Sequence, residues 1–229
     1  MKKLTLVLAG VLVLISISGK ANAQVEFSDD VTMVSTYVWR GVKQYNGPAL
    51  QGTASFKLGA MSFGVWATSI DFGDDIEIES DPFVELTLPT GALESSIGAT
   101  IYTYDFFETF NNDADFEYEV FAKIGVGPIG LAGYFVPSQA STKKNLNESD
   151  YWLEASTSCK LSSTELAMMF GYGTYSSKWL SEAKKNGVGN LVLTASRSLT
   201  EALTVSYNYS FGLDNQMENV LFLALGYSY

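Results

Sequence analysis

The chain has no histidine, a single cysteine (Cys159) and only five prolines in 229 residues. Without imidazole there is no Ser-His or Cys-His catalysis, no imidazole metal ligand and no usual general base near neutral pH. One thiol makes neither an intrachain disulfide nor a thiolate metal site. Charge is scarce at 17%, and positive charge scarcer: 14 Lys+Arg stand against 25 Asp+Glu, a formal net charge of −11. A nucleic-acid partner is therefore not expected, because phosphates need a basic surface. These absences point to no catalytic set, no cofactor and no resident metal. What is present is apolar and aromatic, 47% and 14% of the residues, which is incompatible with a disordered chain.

The first 23 residues read as a cleaved signal peptide. Met1-Lys2-Lys3 is basic, Leu4 to Ser18 is apolar, and Ala21-Asn22-Ala23 offers small residues to a peptidase cutting before Gln24. The apolar run, roughly 15 residues, is shorter than the ~20 a spanning helix needs. Residues 24–229 are then one exported domain, and losing Lys2, Lys3 and Lys20 makes it more acidic still.

From Gln24 onward the dominant pattern has period two, as a strand with one apolar face requires. Leu203, Val205, Tyr207, Tyr209 and Phe211 alternate with Thr204, Ser206, Asn208 and Ser210; Tyr118, Val120, Ala122 and Ile124 alternate with Glu117, Glu119, Phe121 and Lys123. Twelve such segments are expected, at about 29–40, 49–58, 61–71, 81–88, 92–103, 116–125, 129–136, 150–161, 165–173, 188–198, 201–211 and 218–229. Five connections are tight: Gly59-Ala60, Pro89-Thr90-Gly91, Val126-Gly127-Pro128, Ser162-Ser163-Thr164 and Leu199-Thr200. They alternate with long polar ones that include 72–80, 104–115, 137–149 and 174–187. Short turns on one side and long loops on the other define an all-β, transmembrane, antiparallel up-and-down barrel of about 12 strands, with short periplasmic turns and long extracellular loops. A soluble sandwich does not sort its loops in this way.

Strand-end aromatics fit membrane girdles: Tyr37, Trp39, Tyr102, Tyr104, Tyr134, Tyr151, Trp152, Tyr172 and Tyr175 outside, Tyr227 and Tyr229 inside. The closing row of Leu223, Leu225, Tyr227 and Tyr229 resembles the signal by which barrels are handed to the outer-membrane insertion machinery. The expected location is the outer membrane of a Gram-negative bacterium, with lipid and lipopolysaccharide as surroundings.

Residues 33–72 also carry a family pattern. Tyr37, Arg40, Gly41, Gln44, Pro48, Ala49, Gln51 and Gly52, followed by Gly64, Val65, Trp66 and Ile70-Asp71-Phe72, resemble the opening of Gcw_chp, an uncharacterised proteobacterial family of exported proteins. The resemblance implies an outer-membrane barrel and brings no substrate or catalytic set.

With the apolar face toward lipid, the polar partners face the lumen: Gln51, Lys57, Glu85, Glu94, Glu117, Glu119, Lys123, Glu154, Lys160 and Asn208, with Arg40 near the outer rim. Both signs of charge at matching depths suggest interior ion pairs, which would line a polar pathway or brace a packed interior. Arg40 offers a planar fork to an anionic group, or to a neighbouring carboxylate. The acidic stretch Asp71–Asp81 lacks EF-hand spacing and reads as a solvated loop. Cys159 reads as a small apolar side chain facing lipid, and Asn147-Glu148-Ser149 as a chance glycosylation triplet. Barrel enzymes usually centre on a histidine; Glu117 and Glu119 share a face but specify no partner acid. The expected function is a small channel for hydrophilic solutes, the alternative a non-conducting structural or surface-interaction barrel displaying acidic loops.

Overall fold

The computed structural model describes residues 25–71, 76–91, 93–103, 116–138, 149–175, 184–214 and 217–228. The signal-peptide segment, Tyr104, Tyr229, the Asn147-Glu148 pair and most of the loops at 104–115, 137–149 and 174–187 lie outside them. Fourteen strands form: β1 (Val25–Val34), β2 (Tyr37–Trp39), β3 (Val42–Tyr45), β4 (Ala49–Leu58), β5 (Met61–Asp71), β6 (Ile76–Leu88), β7 (Glu94–Thr103), β8 (Phe116–Val126), β9 (Ile129–Val136), β10 (Asp150–Leu161), β11 (Thr164–Tyr175), β12 (Lys184–Ser198), β13 (Leu203–Gly212) and β14 (Val220–Ser228). Twelve of them close a barrel in the order β1-β14-β13-β12-β11-β10-β9-β8-β7-β6-β5-β4, while β2 and β3 form a separate two-stranded sheet. The pairings around the barrel are antiparallel, and each joins strands consecutive in the wall, β1 to β4 through the β2–β3 excursion, except the β1–β14 closure.

Side-chain parity sets this register. Met33 pairs with Leu50 and Phe27 with Phe56, which in turn pairs with Phe63. A slip by one residue would turn all of these from the outer face to the lumen. Phe27 and Phe56 lie 5.1 Å apart and Phe56 and Phe63 5.8 Å, cross-strand contacts that contribute about 0.2–1 kcal/mol each. The outer face stays open: Leu161 is 66% exposed, Leu221 65% and Ile78 60%. Apolar surface this continuous is untenable in water and suits hydrocarbon. Cys159 lies on this face and is exposed.

At one end the chain reverses tightly, through residues 59–60, 127–128 and 162–163, with Gly59, Gly127 and Ser162 at positive φ. Two turns at this end are wider than the sequence suggests, so β7 and β13 begin at Glu94 and Leu203 rather than at 92 and 201. In the second, the Thr200 hydroxyl accepts from the amides of Ala202 and Leu203, at 3.3 and 3.0 Å.

Two departures at the other end matter more. From Ile76 onward the acidic run is strand, not solvated loop: β6 places Glu79 and Asp81 on the inward row, where both are buried, while residues 72–75 lie outside the described residues. The segment expected as one strand at 29–40 also divides. Its wall portion ends at Val34, and residues 37–45 become the β2–β3 hairpin.

Candidate functional site

The hairpin leaves the wall at Ser35, whose amide donates to the Leu223 carbonyl (2.9 Å) and whose hydroxyl accepts from the Leu223 amide (3.0 Å). Trp39 then pairs with Val42 across a two-residue turn, Arg40-Gly41, with φ of 48° and 79°. Two adjacent left-handed residues are what a tight hairpin turn with native strand twist demands. Glycine is required at the second for another reason: a Cβ there would lie 2.6 Å from Cβ of Asn190 on β12. The turn is pressed against the barrel wall from inside.

On the other side of the lumen, Arg40 makes a two-pronged pair with Glu119 on β8. Nη1 donates to Oε2 at 2.7 Å and Nη2 to Oε1 at 2.9 Å, while the Tyr102 hydroxyl donates to the same Oε1 at 2.9 Å. The guanidinium also lies 4.6 Å from the Trp39 ring centre and 4.5 Å from that of Tyr134. Their side chains are only 10% and 2% exposed, so each charge depends on the other. Arginine suits the position because its flat fork pairs with a carboxylate while both faces rest on rings.

Packing seats the rest of the hairpin. Trp39 and Val42 rest on Trp152, Val188 and Met217, and Trp39 meets Tyr102 edge-on at 5.9 Å and 76°. Tyr37 packs with Val34, Ala49 and Ile70, lies 5.8 Å from Trp66, and donates its hydroxyl to Glu79 at 3.4 Å. Near its base, Lys43 pairs with Glu218 in a far more exposed position.

Around the tip the wall is strongly acidic. Glu79, Asp81 and Glu117 are each 4% exposed, and Asp81 accepts from the Thr103 amide at 3.2 Å. Toward the turn end the lumen opens. Lys123 reaches Glu85 at 2.9 Å, with its ammonium 4.4 Å from the Phe121 ring centre. Glu154 accepts from the Tyr134 hydroxyl (3.1 Å) and the Trp152 indole N–H (3.0 Å). A cavity of about 460 Å³ lies directly against the hairpin, and another of about 530 Å³ continues toward the turn end. Glu85, Lys123, Tyr134 and Glu154 line both. On the loop side of the Arg40–Glu119 pair, the pocket lined by Glu117, Val136 and Asp150 holds only about 10 Å³.

The register places Gln51, Lys57, Glu85, Glu94, Glu117, Glu119, Lys123, Glu154, Lys160 and Asn208 on inward rows. Glu85, Glu119, Lys123 and Glu154 converge beside the hairpin, whereas Lys57, Glu94 and Lys160 sit exposed near the turn end. Gln51 lies opposite the buried Thr68, and Asn208 accepts from the Thr194 hydroxyl at 2.8 Å. Leu223, Leu225 and Tyr227 face outward and are exposed. Arg40 is not at the outer rim but at the tip of the inward hairpin. Five aromatics expected in the outer girdle, Tyr37, Trp39, Tyr102, Tyr134 and Trp152, instead line or fill the lumen; Tyr151 and Tyr172 do face outward. Tyr102, Tyr134 and Trp152 alternate with outward residues such as Ile101, Phe135 and Leu153, so parity directs them inward. Among the described residues, no group of three or more Asp, Glu or Cys is arranged to hold a metal ion.

A closed twelve-stranded antiparallel barrel with an apolar exterior and a polar, charged lumen defines the class of outer-membrane-type β-barrels. The chain belongs to the family described as bacterial protein of unknown function (Gcw_chp), which it matches over residues 18–225. No curated protein matches it. Among solved structures, it is similar to the COG4313 outer membrane channel from Pseudomonas putida F1, at 12% identity and a TM-score of 0.51, covering 89% of this chain and 95% of that one. It is also similar to a membrane protein crystallised in meso, at 10% identity and a TM-score of 0.53, covering 89% and 83%. Both likenesses are of fold.

Proposed function

We propose that the protein is a channel of the Gram-negative outer membrane, passing small hydrophilic solutes through a lumen narrowed by the 37–45 hairpin. The observation that carries this reading is the pair of adjoining cavities on the inward face, about 530 and 460 Å³, that lead up to the Arg40–Glu119 pair. An interior serving only as a brace would be packed by its side chains, as the smallest barrels are. The apolar outer face and the outward row of Leu223, Leu225 and Tyr227 support lipid, lipopolysaccharide and the insertion machinery as partners, after export by the N-terminal segment. No catalytic activity is part of this reading, in keeping with a chain that has no histidine.

A second reading, a non-conducting scaffold, is favoured by the hairpin itself, whose tip touches β8 on one side and β12 on the other. Single-channel recording in planar bilayers separates the two. The channel reading expects small discrete steps from the folded wild type and larger ones from Arg40→Ala. Silence from both, with heat-modifiable migration showing intact barrels, would leave the scaffold.

A further inference from the structure

We infer that the chamber against the hairpin is a binding site for organic cations, with Glu154 as the counter-charge for an amine or quaternary ammonium group. This deepens the channel reading, on which it rests, by naming the class of solute the lumen prefers.

Among the described residues, Glu154 is the carboxylate lining the chamber that forms no ion pair. Glu119 is taken by Arg40 and Glu85 by Lys123. Glu154 is held by two neutral donors, the Tyr134 hydroxyl and the Trp152 indole, and forms no ion pair among the described residues. Those two hydrogen bonds fix the carboxylate in place without cancelling its charge. It also lines both cavities, so a solute moving between them passes it.

Most of the remaining wall is aromatic. Trp39, Trp66, Phe83, Tyr102, Phe121 and Tyr134 all border the 460 Å³ space, a volume within the ordinary range of small-molecule sites. Ring faces attract cations, most strongly where water is displaced, and cages of such rings recognise quaternary ammonium groups. The protein's own cations already use this chemistry, Arg40 between Trp39 and Tyr134 and Lys123 beside Phe121. A neutral solute stacks on such rings but gains no Coulomb attraction from the Glu154 carboxylate. An anion meets three carboxylates in the chamber against two cations that are already paired. The ligand that satisfies charge, rings and volume together is a compact cation with an apolar body.

The test uses folded protein purified from membranes in non-ionic detergent. Phenyltrimethylammonium, benzoate and benzyl alcohol are titrated by calorimetry, followed in parallel by tryptophan fluorescence. The expected result is saturable binding of the ammonium probe alone, weakened about tenfold or more in Glu154→Gln, the loss of one charged contact. Glu94→Gln, at the exposed turn end, should keep wild-type affinity. Should Glu154→Gln not fold, block of wild-type conductance by the ammonium probe and not by benzoate carries the same discrimination. Equal binding of benzoate, or unchanged affinity in folded Glu154→Gln, would overturn the inference. A wild type that conducts but binds no ammonium probe removes this site and leaves the channel. Selective ammonium binding in a silent barrel keeps the site and removes passage.

Discussion

Arg40 and Glu119 are 79 residues apart in sequence, yet they meet fork to fork inside the lumen, at 2.7 and 2.9 Å. Arg40 rides on a turn rooted between β1 and β4, whereas Glu119 is fixed in the wall on β8, four strands from β4 around the barrel. The pair therefore ties the hairpin, which stands off the wall, to a strand of the wall. Breaking such a buried pair from one side costs about 3–5 kcal/mol, because the charge left behind stays buried. Arg40→Ala and Glu119→Gln should each lose about that much hairpin stability, seen as earlier proteolysis within 35–48. The barrel, held by its own ladders, should keep its heat-modifiable migration. Conductance should rise in both variants, and equal conductance would show that the hairpin does not set the constriction.

A contrasting result is expected at the hairpin base. Lys43 and Glu218 are 29% and 66% exposed, so water already solvates both. Exposed pairs contribute about 0–1 kcal/mol. Glu218→Gln should leave proteolysis and conductance near wild type, and an effect as large as that of Arg40→Ala would mean that the base, rather than the tip, holds the hairpin in.

How much of this was readable beforehand varies along the chain. The boundaries of β4, β9 and β10 follow from alternation and turn residues, because one face is apolar and each segment is followed by Gly59, Pro137 or Ser162. The hairpin did not, for a physical reason: Val31, Met33, Tyr37 and Trp39 keep the same parity, so the apolar row continues through the point where the chain leaves the wall. Period two reports that side chains alternate, not which surface they meet. Gly41 permits a turn there, but its inward direction shows only in the contacts with Glu119 and Asn190. In the acidic run at 71–81, charge alone suggests solvent. Glu79 and Asp81 alternate with Ile78 and Ser80, and a polar lumen reads as strand with its charged face hidden.

Gly41→Ala tests the close approach directly. The new methyl meets Asn190 at 2.6 Å and the Met217 terminal carbon at 2.8 Å, with φ at 79°. The left-handed backbone alone costs about 1–2 kcal/mol for a non-glycine residue, and the contact adds to it. Recordings from this variant should show a fluctuating conductance as the turn unseats and reseats; a steady wild-type level would mean the wall yields.

Lys123 should govern ion preference. Its ammonium pairs with Glu85 beside both cavities, and its side chain is 43% exposed, so its charge is felt by passing ions. Lys123→Gln releases Glu85 and leaves the chamber more negative. Reversal potentials under a salt gradient should move further toward cation selectivity, while Glu85→Gln should move them the opposite way. The two shifts should shrink in high salt, as screening predicts. Shifts of the same sign from both would place the selective region elsewhere in the lumen.

The outer face can be tested by one substitution on each side of β14. Leu223 points outward and is 46% exposed, whereas Ala224 alternates with it and pairs inward with Ser206. On the lipid face an arginine near the midplane costs about 2–4 kcal/mol, because its charge loses water and gains no partner. Leu223→Arg should therefore fold less stably into bilayers by about that amount in a denaturant titration, with reduced assembly in cells. Ala224→Ser changes polarity on the lumen side only and should be close to neutral. If instead Leu223→Arg were tolerated and Ala224→Ser were not, the faces would be reversed, and the lumen assignments of Glu119 and Glu154, which share the inward parity, would fall with them.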